Sequence, residues 1–196
     1  MKKQDDNHWV LPKHVVAVIG VAGSGKDYQC SGLAKLGYEK IAFADALREI
    51  SFTALGIPYD EGMGKYEELK RTPFINGKTL REFMEALGTE GIRKYDKDFW
   101  INCVKKKILE SKSNVCISDM RFVNEYWAIR DLCQEFDFEF DVYFCDYHSE
   151  RYQKFNPHPS AVLAQHLRDY YKIKDGTNIT LSLPSMIDEM LEDGVL

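Results

Sequence analysis

The sequence predicts an α/β fold in which a mainly parallel central sheet is covered by helices on both faces. Short β-prone apolar runs alternate along the chain with segments of helical periodicity. A glycine-rich turn follows directly after the first apolar run, where a strand would pass into a helix. In sheets of this kind, ligands bind at the carboxyl ends of the strands.

The first apolar run is followed by a phosphate-binding loop. Residues 15–19 read V-V-A-V-I, and the next eight residues read G-V-A-G-S-G-K-D. The glycines let backbone N–H groups and the N-terminus of the next helix point at phosphate oxygens, while Lys26 reaches the β and γ phosphates. The predicted nucleotide-binding residues of the loop are Gly20, Ala22, Gly23, Ser24, Gly25, Lys26 and Asp27.

Asp27 occupies a position where most such loops carry Ser or Thr, whose hydroxyl binds Mg²⁺. A carboxylate is also a hard oxygen donor, so we expect Asp27 to hold the ion directly, through water or by orienting a neighbour. The alternative is a solvated aspartate that favours the dipole at the start of the helix. Both roles are compatible with the loop.

The other elements are predicted in chain order from periodicity and from start and stop signals. Helices are expected over residues 25–36, 46–55, 80–87, 98–108, 125–136, 160–170 and 184–191, and strands over 38–43, 115–117, 138–145 and 179–183. Gly37 is a natural stop for the first helix. Thr79 and Glu82 form a capping box. Prolines and glycines predict that residues 57–78 are irregular and able to move over a site.

Length and composition indicate one domain. The chain has 196 residues, and we expect residues 1–13 to be a loose leader and residues 14–196 a single domain with a mobile insertion over about 57–100. The formal net charge of −5 disfavours binding to nucleic acid polymers. Five scattered cysteines predict buried thiols in a reducing compartment. No apolar run approaches the length of a membrane span, so we expect a soluble, cytoplasmic protein without a membrane partner.

Two aspartates follow predicted parallel strands, as the glycine-rich loop does. Asp45 comes after the second strand and Asp119 after V-C-I-S, so both are expected at the edge of the sheet that binds ligand. Asp119 is the predicted ligand of Mg²⁺ or of its water shell. A strand-end aspartate that makes a turn or a helix cap is the alternative.

Arginines are expected to neutralise phosphate charge, because their planar forks suit bidentate contact. Arg48 and Arg121 follow the two strand-end aspartates closely, and Arg81 and Arg93 lie on helices beside the expected site. Arg81 also has the spacing to pair with Glu85, as Glu90 has with Lys94, and for Arg93 a structural role is equally open. Arg151 is expected in a lid over about residues 146–160. Trp100 is expected at the acceptor, with core packing as its alternative.

Four blocks of sequence resemble the phage-type deoxynucleoside monophosphate kinases, a P-loop family related to adenylate kinase. They are the loop itself, I-A-F-A-D-A-L-R-E-I from Ile41, L-G-T-E-G-I-R-K-Y-D-K-D-F-W from Leu87, and C-I-S-D-M-R-F-V-N-E from Cys116. The blocks cover about half of the chain, and Asp at the eighth loop position is frequent in that family. The C-terminal third resembles the family only loosely.

This resemblance implies a three-layer P-loop kinase fold and a Mg²⁺-dependent transfer of the γ-phosphoryl group of ATP to the 5′-phosphate of a (deoxy)nucleoside monophosphate. It places Lys26 on the phosphates, with Lys26, Arg121 and Asp119 as the expected catalytic residues. The implied substrate-binding residues are Asp45, Arg48, Arg81, Glu90, Arg93, Trp100 and Arg121. It also implies a host-cytoplasmic location if the protein is phage-encoded. A homodimer is left open, as are the preferred base and sugar.

Two alternatives remain. A kinase of another small phosphorylated metabolite, such as dephospho-coenzyme A or phosphomevalonate, can share the loop. A regulatory protein that binds a nucleotide without transferring phosphate is the other alternative, although the absence of an N-K-x-D motif weakens a GTPase switch. The number of arginines on the acceptor side favours a kinase.

Overall fold

The computed structural model describes residues 2–3, 9–10, 12–20, 24–74, 76–145 and 179–181. The strands are β1 (Lys2–Lys3), β2 (Trp9–Val10), β3 (His14–Ile19), β4 (Glu39–Ile41), β5 (Val115–Ile117), β6 (Glu139–Phe144) and β7 (Ile179–Leu181). The helices are α1 (Lys26–Lys35), α2 (Ala44–Ala54), α3 (Tyr59–Gly64), α4 (Tyr66–Leu69), α5 (Leu80–Glu85), α6 (Arg93–Tyr95), α7 (Phe99–Glu110) and α8 (Val123–Phe136), with a π-helix over Ala86–Ile92. The chain divides into two compact units, the first from residues 1–42 and 107–196 and the second from residues 43–106.

The first unit contains a five-stranded sheet in the order β4-β5-β3-β6-β7. Its first four strands are parallel, and β7 runs antiparallel to β6. The prediction of a mainly parallel α/β sheet is therefore confirmed. The expected strand over residues 179–183 is present as β7. In the segment expected to be a loose leader, β1 and β2 pair antiparallel.

Helices cover both faces of this sheet, as the sequence predicted. Cys30 of α1 packs with Val16, Val18 and Cys116 on one face. On the other face, the ring of Tyr126 in α8 lies 5.8 Å from the ring of Phe140, which is paired with Val15 of β3. Residues on both faces of β3 are consequently buried, which explains its continuous apolar sequence.

The cysteines belong mainly to the core of the first unit. All five are free, and only Cys103 is partly exposed. The thiols of Cys30 and Cys116 lie 2.6 Å apart, and the Cys116 thiol donates to the Cys30 sulfur. Hydrogen bonding to Cys116 and burial both raise the pKa of Cys30. These thiols act as small buried hydrophobic groups, as predicted from their scattered positions.

The second unit is helical and has its own core, in which Phe52 of α2 packs with Leu80 and Met84 of α5. Residues 57–78 were expected to be irregular, and this expectation is wrong for α3 and α4. Both short helices form because their aromatic side chains reach the core: the rings of Tyr59 and Tyr66 lie 5.9 and 6.4 Å from the ring of Phe52. Packing overrides the local preference of a proline- and glycine-rich segment.

The capping box of α5 is confirmed, but the end of that helix differs from the prediction. The Thr79 hydroxyl accepts from the Glu82 N–H, and the Glu82 carboxylate accepts from the Thr79 N–H at 2.8 Å. Beyond Glu85 the backbone continues as the π-helix, which the periodicity did not predict. The buried indole N–H of Trp100 donates to the Gly88 carbonyl within this turn at 3.2 Å.

The remaining predicted elements agree with the structure or lie outside it. The first helix ends before Gly37, whose N–H donates to the Ala34 carbonyl at 3.1 Å, as predicted. The helices expected over 160–170 and 184–191 lie outside the described residues. In the part of the chain that the structure describes, no helix is both long enough and apolar enough to cross a bilayer.

Candidate functional site

The candidate site lies at the carboxyl ends of β3 and β5, which are neighbours in the sheet. The chain leaves β3 towards α1 and leaves β5 towards α8, and these helices cover opposite faces. Such a reversal opens a crevice beyond the strand ends, where ligands bind in open α/β sheets. β4 ends at the same edge, and the residues from Phe43 onwards belong to the second unit.

The glycines at the two ends of the loop have specific steric roles. A side chain at Gly20 would clash with the Cys145 carbonyl and with the Ser24 hydroxyl, so the backbone passes through a space that only glycine fits. Gly25, directly before α1, has φ 90°, a left-handed conformation that glycine adopts without strain. The predicted binding residues Ala22 and Gly23 lie outside the described residues.

Lys26 is the first residue of α1, and its ammonium group donates to the Gly20 carbonyl at 2.7 Å. Burial and the positive charge of Arg121 together lower the pKa of Lys26 to about 8, although Asp27 and Asp119 act in the opposite direction. The protonated form of Lys26 is therefore less favourable in the folded protein than in water. A bound polyanion would offset this electrostatic cost, because an opposite charge favours the protonated amine.

Ser24 provides a second polar group at the loop. The residue is 1% exposed, and its hydroxyl has no hydrogen-bond partner among the described residues. Buried hydroxyls in native proteins nearly always have a partner, so an unsatisfied one beside a helix N-terminus suits a ligand oxygen. The role of Ser24 in nucleotide binding stays a prediction.

Asp27 lies one position beyond Lys26, on the exposed side of α1. Its carboxylate is 86% exposed and binds the ammonium group of Lys40 on β4 at 2.6 Å. This pair, which was not predicted, neutralises the extra negative charge of the loop. In the described part of the chain, no cluster of three or more histidine, cysteine or acidic side chains could hold a metal ion.

Asp119 and Arg121 follow β5 at the same edge of the sheet. The preceding residue is anchored, since the Ser118 N–H donates to the Ile41 carbonyl at 3.1 Å. The charges of Asp119 and Arg121 both act on Lys26, which places all three predicted catalytic side chains in one electrostatic environment. The Arg121 side chain is exposed and Asp119 is half-buried.

Glu125 was not predicted as a site residue. It is 1% exposed, and its carboxylate accepts the N–H groups of Arg121 at 2.8 Å and Phe122 at 3.1 Å. The only sequence signal was its place three residues after Phe122, which directly precedes α8, where an acidic side chain reaches back to free backbone N–H groups. The contact fixes the backbone on which Arg121 is carried.

The second unit contains the expected acceptor-side pair. Asp45 and Arg48 lie on α2, where the Arg48 guanidinium donates to the Asp45 carboxylate at 2.5 Å. Both side chains are about one-fifth exposed, and the guanidinium lies 5.2 Å from the centroid of the Tyr66 ring. This ion pair and ring contact hold the guanidinium plane in one orientation.

The other residues predicted to bind the acceptor range from exposed helix surface to the buried core. Arg81 pairs with Glu85 at 3.3 Å and Glu90 pairs with Lys94 at 2.6 Å, both on exposed helix surface at the spacing considered as the alternative. Trp100 is buried and bonded to Gly88. Arg93 begins α6 and is partly exposed. The expected lid and Arg151 lie outside the described residues.

No protein-family model matches the chain, and no curated protein matches it. Solved structures do show likeness. A gluconokinase from Sinorhizobium meliloti is 19% identical with a TM-score of 0.37, over 84% of this chain and 76% of that one. A candidate kinase from Chloroflexus aurantiacus is 14% identical with a TM-score of 0.44, over 93% of this chain and 98% of that one.

The Mycobacterium tuberculosis APS kinase CysC in complex with AMPPNP and APS is 14% identical with a TM-score of 0.37, over 94% of this chain and 96% of that one. Identities and TM-scores this low do not say what this chain binds or does. Its own topology and sequence define the class: an α/β protein with a glycine-rich loop between the central strand and the helix that follows it.

Proposed function

We propose that this protein transfers the γ-phosphoryl group of ATP to the 5′-phosphate of a (deoxy)nucleoside monophosphate. One observation carries the proposal: Lys26 is held at the N-terminus of α1 with a lowered pKa, beside the charges of Arg121 and Asp119. Burial disfavours the protonated amine, and the phosphates of a nucleotide would stabilise it.

The proposed roles follow from charge and position. Lys26 and the first turn of α1 bind the β and γ phosphates of ATP, and the Ser24 hydroxyl donates to one of their oxygens. Arg121 is exposed at the adjacent strand end and binds the phosphoryl group in transfer. Phosphoryl transfer requires little covalent chemistry from the protein, so fixed cations at these positions are sufficient machinery.

Mg²⁺ fits this arrangement through carboxylates. Magnesium in kinases is usually held by one or two carboxylates together with substrate phosphates and water, so a three-residue protein cluster is not required. Asp119 has the right chemistry and is half-buried at the strand end. Asp27 would share its carboxylate between the ion and Lys40 in order to contribute. When bound, the ion would neutralise charge on the transferring group.

The acceptor is proposed from the sequence blocks together with the second unit. Asp45 and Arg48 form a half-buried pair of the kind that binds an acceptor phosphate, with Arg48 fixed against Tyr66. The block from Leu87 to Trp100, which resembles the monophosphate kinases, folds as the π-helix, α6 and the start of α7. π-Helical turns occur frequently at functional sites.

A coupled assay of ADP release tests the proposal across a panel of acceptors. The panel contains the four deoxynucleoside monophosphates, their ribose counterparts, dephospho-coenzyme A and phosphomevalonate. We expect transfer to at least one deoxynucleoside monophosphate, and product identified as the diphosphate by chromatography. Activity only with one of the other two acceptors would replace the proposed substrate. Tight ATP binding without transfer to any acceptor would favour a regulatory protein.

A further inference from the structure

Glu125 is a buried acidic residue that the proposed function leaves without a role. One oxygen of its carboxylate accepts the backbone N–H groups of both Arg121 and Phe122, at 2.8 and 3.1 Å. The two donors lie on either side of the α-carbon that carries the Arg121 side chain. The carboxylate therefore fixes the end of the segment that connects β5 to α8.

Comparison with α5 shows that this contact is more than an ordinary helix cap. Glu82 accepts the Thr79 N–H at 2.8 Å from the same position in its helix, yet Glu82 is exposed. Glu125 is 1% exposed. Burying a carboxylate is unfavourable unless hydrogen bonds and nearby positive charge compensate it, so the buried position indicates a requirement beyond helix initiation.

The fixed segment leads directly to the site. Arg121 donates its N–H to Glu125, while its side chain is exposed and its charge acts on Lys26 at the loop. A small rotation of this backbone would move the guanidinium by more than the movement of the backbone itself. Catalytic groups misplaced by about 1 Å lose roughly 100-fold in rate, so the anchoring has functional consequences.

We propose that Glu125 is a positioning residue, which acts through Arg121 by holding its backbone so that the guanidinium faces the phosphates bound at the loop. The inference rests on the proposed function for its kinetic test. Its binding test uses inorganic tripolyphosphate and needs no knowledge of the acceptor. The two tests separate a failure of the positioning role from a failure of the proposed function.

The kinetic test uses a double-mutant cycle of Glu125→Ala with Arg121→Ala. We expect Glu125→Ala to lower kcat/KM for the acceptor roughly 10- to 100-fold. Glu125→Ala should lower kcat/KM no further in the Arg121→Ala variant, because the guanidinium that Glu125 positions is already absent. Glu125→Gln retains an oxygen at the accepting position and should restore most of the activity. Multiplicative losses in the double variant would overturn the positioning role.

The binding test measures tripolyphosphate affinity by calorimetry for the same variants. Arg121→Ala and Glu125→Ala should weaken tripolyphosphate binding by similar factors, and the double variant should bind no more weakly than either single variant. Glu125→Gln should bind nearly as tightly as the original protein. Unchanged affinity in Glu125→Ala, with weakened affinity in Arg121→Ala, would overturn the inference. If no acceptor is ever phosphorylated, the proposed function fails while this binding cycle still decides the role of Glu125.

Two controls separate positioning from stability. Glu82→Ala removes the matched cap of α5 and should change stability without changing the effect of Arg121→Ala. Thermal unfolding of every variant identifies any loss of activity that only follows a loss of folded protein. If Glu125→Ala does not fold, Glu125→Asp takes its place, because it keeps the charge but withdraws the oxygen by one methylene.

Discussion

Replacing Lys26 by Met should stabilise the folded protein at neutral pH. A pKa lowered from the ordinary 10.5 to about 8 means that the charged amine is disfavoured in the folded state by roughly 3 kcal/mol. Methionine keeps the length of the side chain but removes the charge. It also removes the hydrogen bond to Gly20, which is worth about 2 kcal/mol because its donor is charged. We therefore expect the free energy of unfolding to rise by about 1 kcal/mol at pH 7.

The same change has a defined pH dependence. Between the folded pKa of about 8 and the unfolded value near 10.5, the unfolded chain binds more protons than the folded chain at Lys26. The original protein therefore gains stability at this site as pH rises through that window. The original protein should gain about 2 kcal/mol relative to Lys26→Met between pH 7 and pH 10, so the variant should be the less stable of the two at pH 10.

Urea denaturation at several pH values measures both effects. Lys40→Met is the matched control, because it removes an exposed amine paired with Asp27 and should change stability by less than about 1 kcal/mol. If Lys26→Met destabilised the protein at pH 7, or if its effect did not change between pH 7 and pH 10, the electrostatic account of the loop would be refuted.

Three further predictions concern other parts of the molecule. Gly62→Ala should destabilise the protein by about 1 to 3 kcal/mol, because the new methyl group would overlap the Phe52 ring. The control is Gly64→Ala in the same helix, where the new methyl group meets open space. Equal effects of the two substitutions in urea denaturation would disprove this packing. A thiol reagent should react quickly with Cys103 alone in the folded protein, because the other four thiols are buried. Burial also raises the pKa of Cys133 to about 12 and the pKa of Cys145 to about 11. Rapid modification of Cys30 would contradict the described core. Arg121→Ala should reduce kcat roughly 100- to 1,000-fold while changing stability by less than about 0.5 kcal/mol; a large loss of stability with normal turnover would instead indicate a structural ion pair.

The sheet and the loop were predictable because their signals are local. Five consecutive apolar residues before Gly20 predict a strand, and the spacing of the loop glycines and Lys26 predicts a phosphate-binding turn. Asp119 and Arg121 were predictable from the rule that parallel strands end at one edge. The strand and the loop need only residues that are close together in the sequence, and the placement of Asp119 and Arg121 needs only the order of strands and helices.

The remaining features depend on contacts between distant residues. The π-helix is held by Trp100, which lies 12 positions beyond Gly88, and by the close approach of Leu47 to Gly88. Asp27 pairs with Lys40 because α1 packs against β4. Periodicity and spacing do not report such contacts, since they arise only when helices pack.

The turnover of Lys26→Ala tests the central claim of phosphoryl transfer most directly. ADP formation with the best acceptor is compared among the original protein, Lys26→Ala and the exposed control Lys40→Ala, with folding checked by circular dichroism. We predict that Lys26→Ala loses turnover by orders of magnitude while remaining folded and that Lys40→Ala retains most of it. Unchanged turnover in folded Lys26→Ala would contradict the claim that the loop binds the phosphates of the donor during transfer.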